Sequence, residues 1–412
     1  MPNPEVIRAQ TTPQDGPLFT SGYANSKFVV QEHIVFSEEI RQKGVAEIAN
    51  ARAGSSITYG FEKTCTLLED VELEVTPPAL TGAGGATYIR YTDDLGDAMI
   101  EEVTWMYGAN TIQSYKMDTM FLDRQLLMNE SRDNQNKLVA ADLSAAARNT
   151  YAVAPKKLRI RIPAPWNDLK SHCPIISALA NKLTLTIRFA QPSAIVQTDG
   201  TKPAALAYDD ARLVFQQIHF TGKTRAEVTS LTEMTEGLSY LYNDVIQYDY
   251  EIPANALRAN GAAFTIQLPD FDGPIHIMQS LLRTTTQLDA TTANVAPYEI
   301  DTTYMEGLSY QMLSNNMNML DLEEQDYDGV RKTEKYWQCR FDTQQIVFLW
   351  SEFPKMLNCD SGHLSFGNFQ LPRLQLYNSS LGGVHPALRL TIVAKRQNWQ
   401  NQQRGTYQKV WR

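Results

Sequence analysis

Leu183-Thr184-Leu185-Thr186-Ile187-Arg188-Phe189 decides the fold class of this chain. Its apolar residues fall on every second position, the period of a β-strand, and threonine and arginine fill the other face. The same alternation sets Leu158, Ile160 and Ile162 against Arg159 and Arg161, and Val71, Leu73 and Val75 against Glu72 and Glu74. In the second half it sets Ile246, Tyr248, Tyr250 and Ile252 against Gln247, Asp249 and Glu251, and recurs in Phe264, Ile266, Leu268 and in Leu388, Leu390, Ile392. Strands with one apolar and one polar face belong to antiparallel sheets buried on one side. Two such sheets packed face to face make a sandwich. The expectation is an all-β chain.

Helical sequence is sparse. Ala98–Met106 and Tyr115–Met128 show partial 3.6-residue spacing, and the alanine-rich Ala140–Ala147 predicts a short helix in a connecting loop. Thr224–Met234 is polar with Val228, Leu231 and Met234 on one side, the pattern of a linker helix. It falls between the strand Leu213–Phe220 and the strand at Ile246, so the domain boundary is placed there. The predicted order is an extended arm over residues 1–24, a first β unit over 25–222, a linker helix over 223–238 and a second β unit over 239–412. Pro2, Pro4, Pro13, Gly16 and Pro17 account for the extended reading of the arm. Polar stretches at 129–154 and 284–306 read as excursions from the sheets, one in each half.

The chain has 412 residues, 43% hydrophobic and 20% charged, an ordinary globular composition. Cys65, Cys173, Cys339 and Cys359 are scattered without a C-x-x-C pair, which predicts four reduced thiols. No secretory signal and no run of 18 apolar residues is expected. A net charge of −9 argues against a wide nucleic-acid footprint. The charge is uneven. Residues 361–412 hold seven basic side chains (Arg373, Arg389, Lys395, Arg396, Arg404, Lys409, Arg412) and no acid, so the remainder carries −16, that is −9 less +7. These basic residues are expected to pair with acidic surfaces of neighbouring subunits, with Arg389, Lys395 and Arg396 on or near exposed edges.

Reaction chemistry finds little support. Gly222-Lys223-Thr224 lacks the glycine that a phosphate-binding loop needs five positions earlier, where Gln217 stands. Glu324-Gln325-Asp326-Tyr327-Asp328-Gly329 lacks the closing acid of a calcium loop, since Lys335 holds that place. With Asp321 and Glu323 it reads as a solvated acidic loop or a partner for basic strands, with a loose divalent site between subunits as the alternative. His33, His172, His219, His276, His363 and His385 never stand two apart, as a cupin-type metal site requires. Trp166 fits core or interface packing better than a sugar-stacking platform. The sequons at Asn129 and Asn378 read as chance. No catalytic, cofactor-binding or metal residue is assigned.

Five blocks, in order, carry a family resemblance. Ser56–Thr66 with Leu73-Glu74-Val75-Thr76-Pro77-Pro78-Ala79-Leu80 resembles a first β-hairpin ending in Leu-Glu-Val-Thr-Leu-Pro-Ala-Leu, with Leu68-Glu69-Asp70 where Gly-Asp usually stands. Ile89–Val103 is similar to an aromatic strand and short helix, and Ile162–Leu179 to a block ending in Leu-Pro-Leu-Ile-Ala-Leu. Ser361-Gly362-His363-Leu364-Ser365-Phe366-Gly367 with Leu374-Gln375-Leu376 resembles Pro-Ser-Gly-x-Leu-Asn-Phe-Ser followed by Leu-x-Leu. Val393–Trp399 resembles the terminal Tyr-Ala-x-x-Tyr-Asn strand. Together these resemble the major capsid proteins of nucleocytoplasmic large DNA viruses, the iridovirus, phycodnavirus and asfarvirus lineage.

The resemblance implies a double jelly-roll, two eight-stranded antiparallel sandwiches side by side, with short helices in loops and linker. It implies a homotrimeric pseudo-hexameric capsomer that tiles the icosahedral shell of a double-stranded DNA virus. The implied partners are neighbouring capsomers, minor capsid and penton proteins and an internal membrane beneath the shell, with no specific nucleic-acid binding and no enzymatic role. The implied place is the virion, assembled in the host cytoplasm. A minor or scaffolding capsid protein of the same fold is the alternative, followed by a carbohydrate-binding double β-sandwich.

Overall fold

Two sets of eight strands repeat one order of pairing in the computed structural model. It describes residues 39–409 except 83–84, 127–128, 167–172, 221–225, 227–229, 231–237, 258–262, 269–273, 300–303, 305–306, 315–316, 325–344, 351–363, 366–370, 380–383 and 405. The arm at 1–24 and the Gly222-Lys223-Thr224 motif lie outside the described residues. Of the linker helix, Ala226 and Ser230 are described, both helical.

The first set comprises β1 (Glu39–Glu47), β2 (Ser56–Gly60), β3 (Leu67–Thr76), β5 (Ile100–Tyr107), β6 (Asn110–Lys116), β7 (Leu158–Arg161), β8 (Leu183–Phe189) and β10 (Asp209–Phe220). A small added ribbon pairs β4 (Ile89–Tyr91) with β9 (Val196–Thr198). One four-stranded sheet runs β1-β10-β3-β7 and the other β2-β8-β5-β6. The second set comprises β11 (Leu238–Ile252), β12 (Phe264–Gln267), β13 (Pro274–Thr284), β14 (Leu308–Ser314), β15 (Met317–Glu324), β16 (Ile346–Leu349), β18 (Arg373–Asn378) and β19 (Leu388–Gln403). Its sheets run β11-β19-β13-β16 and β12-β18-β14-β15, while β17 (Leu364–Ser365) and β20 (Thr406–Lys409) extend the first of them. Numbering each set of eight from its own start, both read 1-8-3-6 and 2-7-4-5. That order is the jelly roll, occurring twice, so the fold is the expected double jelly-roll.

The alternating stretches become the inward faces. Leu183, Leu185, Ile187 and Phe189 are all essentially buried. In the first core Phe61 stacks on Trp105 with ring centroids 5.7 Å apart and meets Phe215 edge-on at 5.1 Å. In the second, Tyr310 meets Phe348 edge-on at 5.1 Å. Burying each such side chain contributes about 1.5–3 kcal/mol. Tyr248, on the expected apolar face of β11, is 37% exposed. Tyrosine can keep its polar tip in water while its ring covers a sheet.

Three local expectations need correction. Ala98–Met106 is not helical. A one-turn helix ends at Ala98 and β5 follows, because Val103, Trp105 and Tyr107 alternate into the core and pair with β6 and β8. The segments read as a first hairpin are not paired to each other. β2 joins β8 and β3 joins β10 and β7, so the chain crosses from one sheet to the other between them. The tip residue Asp70, at φ +38°, marks a bulge, where the pairing of β3 with β10 shifts between Glu72↔Val214 and Glu69↔Gln216. The helix placed at Ala140–Ala147 instead spans Ala145–Val153, capped by the Ser144 hydroxyl accepting from the Ala147 N–H at 3.2 Å. Ala140 and Asp142 take positive φ and separate it from an upstream helix, Asn129–Val139. The helix expected within Tyr115–Met128 is present as Met117–Gln125.

Candidate functional site: the junction of the two sandwiches

β13 carries the junction. All eleven of its residues are buried, because both faces are covered. Met278 and Leu282 face the second core, whereas Leu281 packs into the first and Ile277 joins Leu126 and Val347 in a small cluster between them. Polar side chains on this strand therefore need partners from the elements that cover it, and two of them find these in the other sandwich. Gln279 donates from Nε2 to the Leu122 carbonyl at 3.0 Å. Arg283, 4% exposed, makes a forked pair with Asp118 on the helix Met117–Gln125, at 2.9 and 3.0 Å. It also donates to Thr391 Oγ1 at 2.8 Å and to the Pro297 carbonyl at 3.1 Å.

Other crossings flank this pair. Gln113 of β6 donates to the Val245 carbonyl of β11 at 2.9 Å, and Lys395 meets Asp123 at 2.5 Å. The Gln402 amide makes two 2.8 Å bonds with the Ile175 backbone, one donated and one accepted. The 285–299 excursion of the second sandwich lies on the β4–β9 ribbon of the first. There Thr92 Oγ1 and Gln197 Nε2 both donate to the Val295 carbonyl, at 3.0 and 2.8 Å, and the Thr198 N–H donates to the Ala293 carbonyl at 3.0 Å. Apolar contacts, one forked ion pair, a lysine–aspartate pair and hydrogen bonds to backbone thus hold the two sandwiches together.

Beside the ribbon is a buried cluster of acids. One nitrogen of Arg124 lies 2.8 Å from Asp94 and 2.6 Å from Asp97, all three side chains being buried. Burial, with the neighbouring Asp94 charge, pushes Asp93 up to about 7. Burial pushes Asp97 to about 7 against the pull of Arg124. A cavity of about 340 Å³ opens next to them, walled by Phe121, Arg132, Arg148 and Tyr298 among others.

The residues singled out by sequence fall elsewhere. Lys395 and Arg396 are not on exposed edges. β19 is an inner strand between β11 and β13. Arg396 is 6% exposed and pairs with Asp244 at 2.5 Å, while Lys395 reaches Asp123. Their acids belong to the same chain, which overturns the expectation of pairing with neighbouring subunits for these two. Arg389 meets Glu251 at 3.4 Å on the surface, and Arg404 is exposed. Trp166 is 3% exposed and edge-on to Trp105 at 4.8 Å, a core residue rather than a sugar platform. Asn378 is fully buried and donates to the Tyr304 carbonyl at 3.1 Å. His385 is buried, accepting at Nε2 from the Leu257 N–H at 2.8 Å with Nδ1 2.6 Å from the Pro386 carbonyl. Cys65 and Cys173 are free buried thiols, the first pushed up to about 11 by burial. Asp321, Glu323 and Glu324 lie in β15, and the rest of that acidic stretch is outside the described residues. Among the described residues no three His, Cys, Asp or Glu side chains gather to hold a metal, and no helix is long and apolar enough to cross a membrane.

Sequence reading missed Asp118, Arg283, Gln279 and Gln402, which form the junction. The available clue was a charge or amide inside an apolar run, as in Leu281-Leu282-Arg283.

No protein-family model and no curated protein matches the chain. Solved structures do. VP54 of PBCV-1, fitted into a reconstruction of the virophage Sputnik, superposes with a TM-score of 0.71 at 13% identity, covering 92% of this chain and 98% of that one. The PBCV-1 virus capsid model gives 0.69 at 15%, covering 90% and 98%. The Faustovirus major capsid protein gives 0.65 at 10%, covering 88% and 90%. At these identities the likeness is one of fold, and it extends over most of the chain.

Proposed function

We propose that this chain is a major capsid protein. Three copies form a pseudo-hexameric capsomer, since each contributes two similar sandwiches, and the capsomers tile an icosahedral shell around double-stranded DNA. The observation that carries this reading is the doubled 1-8-3-6 and 2-7-4-5 strand order, held at a fixed angle by a buried junction, in a chain whose fold matches viral capsid proteins nearly end to end. Its role is mechanical rather than catalytic. The division into arm, two jelly rolls and linker at residues 24, 222 and 238 belongs to the same proposal. So do minor capsid and penton proteins as partners, a membrane beneath the shell, and assembly in the host cytoplasm.

Light scattering and negative-stain microscopy of the purified protein test it. The expected result is a trimer of hexagonal outline burying more than ~2,000 Å² per interface, the obligate range. A stable monomer at micromolar concentration would overturn it. A trimer present only at low copy number in purified particles would favour a minor capsid role.

A further inference from the structure

We propose that β1, with the sheet face beside it, docks the β15 edge of a second copy of this chain, Lys43 meeting Glu323 and Glu324. This rests on the capsid reading and names the surfaces that join one copy to the next. The junction inside the chain is the pattern for it. There β6, an edge strand of the first sandwich, meets β11, an edge strand of the second. Gln113 donates to the Val245 carbonyl at 2.9 Å, and Lys116 lies 3.5 Å from Asp249. Beside β11 the outer face of its sheet is covered by the first sandwich: Leu281 and Val393 join the first core, and Arg283 reaches Asp118. In the shared strand order β1 holds the place of β11, and β15 holds the place of β6.

The equivalent face of the first sandwich is open. In the second sandwich one row across the sheet reads Glu251, Arg389, Arg283, and in the first the row Glu47, Arg212, Glu74 has the same acid–arginine start. Matching these rows sets Val45 at the place of Asp249 and Lys43 at that of Gln247. Val45 is 49% exposed and stands opposite Val214, so both share the outer face. Gly44 between them turns to the core, where Phe215 fills the space a Cβ would take. Lys43 is therefore on the outer face as well. It is exposed and makes no ion pair among the described residues.

Charge selects the partner. The internal joint sets the basic end of β6, Lys116, against the acid Asp249 of β11. At the corresponding end β15 carries Asp321, Glu323 and Glu324, while the middle of β1 carries Arg41 and Lys43 and its acids, Glu39 and Glu47, stand at the two ends. The joint between copies has the same geometry with its charges reversed. Lys116 of β6 would be repelled by Lys43, so the reversal also excludes the wrong pairing of sandwiches. Such a joint is head-to-tail, using a different surface on each sandwich, and copies joined this way close into a ring when the rotations complete a turn.

Zero-length carbodiimide cross-linking of the full chain at low salt, followed by peptide mapping, tests this on the unaltered protein. Bands of two and three chains should contain Lys43 joined to Glu323 or Glu324, and Lys43→Gln should abolish that peptide. Light scattering on dilution supplies the second readout. Lys43→Glu, and separately Glu323→Lys with Glu324→Lys, should each raise the dissociation concentration by about five-fold or more, the upper value for an exposed pair. All three changes together should restore the parent value. An oligomer in which Lys43 is joined elsewhere or not at all, or which both reversals leave unchanged, would overturn the docking surface and leave the capsid reading standing. A parent chain that stays monomeric at micromolar concentration would overturn both.

Discussion

Arg283 and Asp118 stand 165 residues apart in sequence and share a forked ion pair, 2.9 and 3.0 Å long, across the junction of the two sandwiches. Arg283 is 4% exposed, so Asp118→Ala strands a buried guanidinium. The expected loss is about 3–5 kcal/mol in urea unfolding. An apolar double variant, Arg283→Met with Asp118→Leu, should recover much of it, because no charge is left buried alone. A loss under ~1 kcal/mol in Asp118→Ala would show that the pair is solvated and that apolar contacts hold the junction.

The acids beside the junction set a pH dependence. Burial raises Asp93 and Asp97 from an ordinary 3.8 to about 7. Between those values the folded chain binds more protons than the unfolded chain, so stability falls as pH rises. Their contribution is complete near pH 4 and gone above about 7. Asp249, held below its ordinary value by hydrogen bonds from Thr391 and Gln247 and by Lys116 despite burial, acts in the opposite direction, but in the acid range near 3.8. Melting between pH 5 and 8 isolates the first effect. Tm should decline toward pH 8, and Asp97→Asn should flatten the slope. A Tm that climbs steadily over this range would contradict the assignment.

The strand content was legible because most strands have one solvent face, and alternation records it: Leu183 to Phe189 reads as β8 without error. The junction was not legible for the same reason. β13, Pro-Ile-His-Ile-Met-Gln-Ser-Leu-Leu-Arg-Thr, is covered on both faces and shows no period of two. β19 alternates at Leu388 to Ile392, but its Arg396 is buried against Asp244, so a charge that looked like an edge marker is interior. The repeated strand order was also invisible, since pairing between strands of opposite ends of a sandwich leaves no local trace. Asp93 looked like one acid among many. Its burial depends on two excursions more than 100 residues apart.

Gly96 marks a close approach. It lies in the one-turn helix Leu95–Ala98, and an added Cβ would stand 2.6 Å from Val139 Cβ and 3.0 Å from its backbone. Neither neighbour is a flexible tip, so Gly96→Ala must displace the Asn129–Val139 helix. The expected cost is about 1–3 kcal/mol. Val139→Gly combined with Gly96→Ala should recover part of it by removing the nearest atom, the Val139 Cβ. If the single variant melts with the parent, the two segments do not pack this closely.

Arg396 and Arg404 separate interior from surface in the basic C-terminal stretch. Arg396 is 6% exposed and bonded to Asp244, whose Oδ2 also accepts from Asn398 Nδ2 at 3.3 Å. Arg396→Glu places two carboxylates together in the interior and should lower stability by more than ~3 kcal/mol, with failure to fold as its extreme form. Arg404 is exposed in the turn joining β19 to β20. Arg404→Glu should leave the unfolding free energy in urea within about 0.5 kcal/mol of the parent, as surface changes do. Of these two, Arg404 and not Arg396 is placed for an electrostatic role in assembly. Assembly turbidity across an ionic-strength series checks that role: an Arg404 contact predicts weaker assembly and a shallower salt response in Arg404→Glu. Identical curves for parent and variant would remove Arg404 from the contact. Stable folding of Arg396→Glu would show instead that the Asp244 pair is open to water.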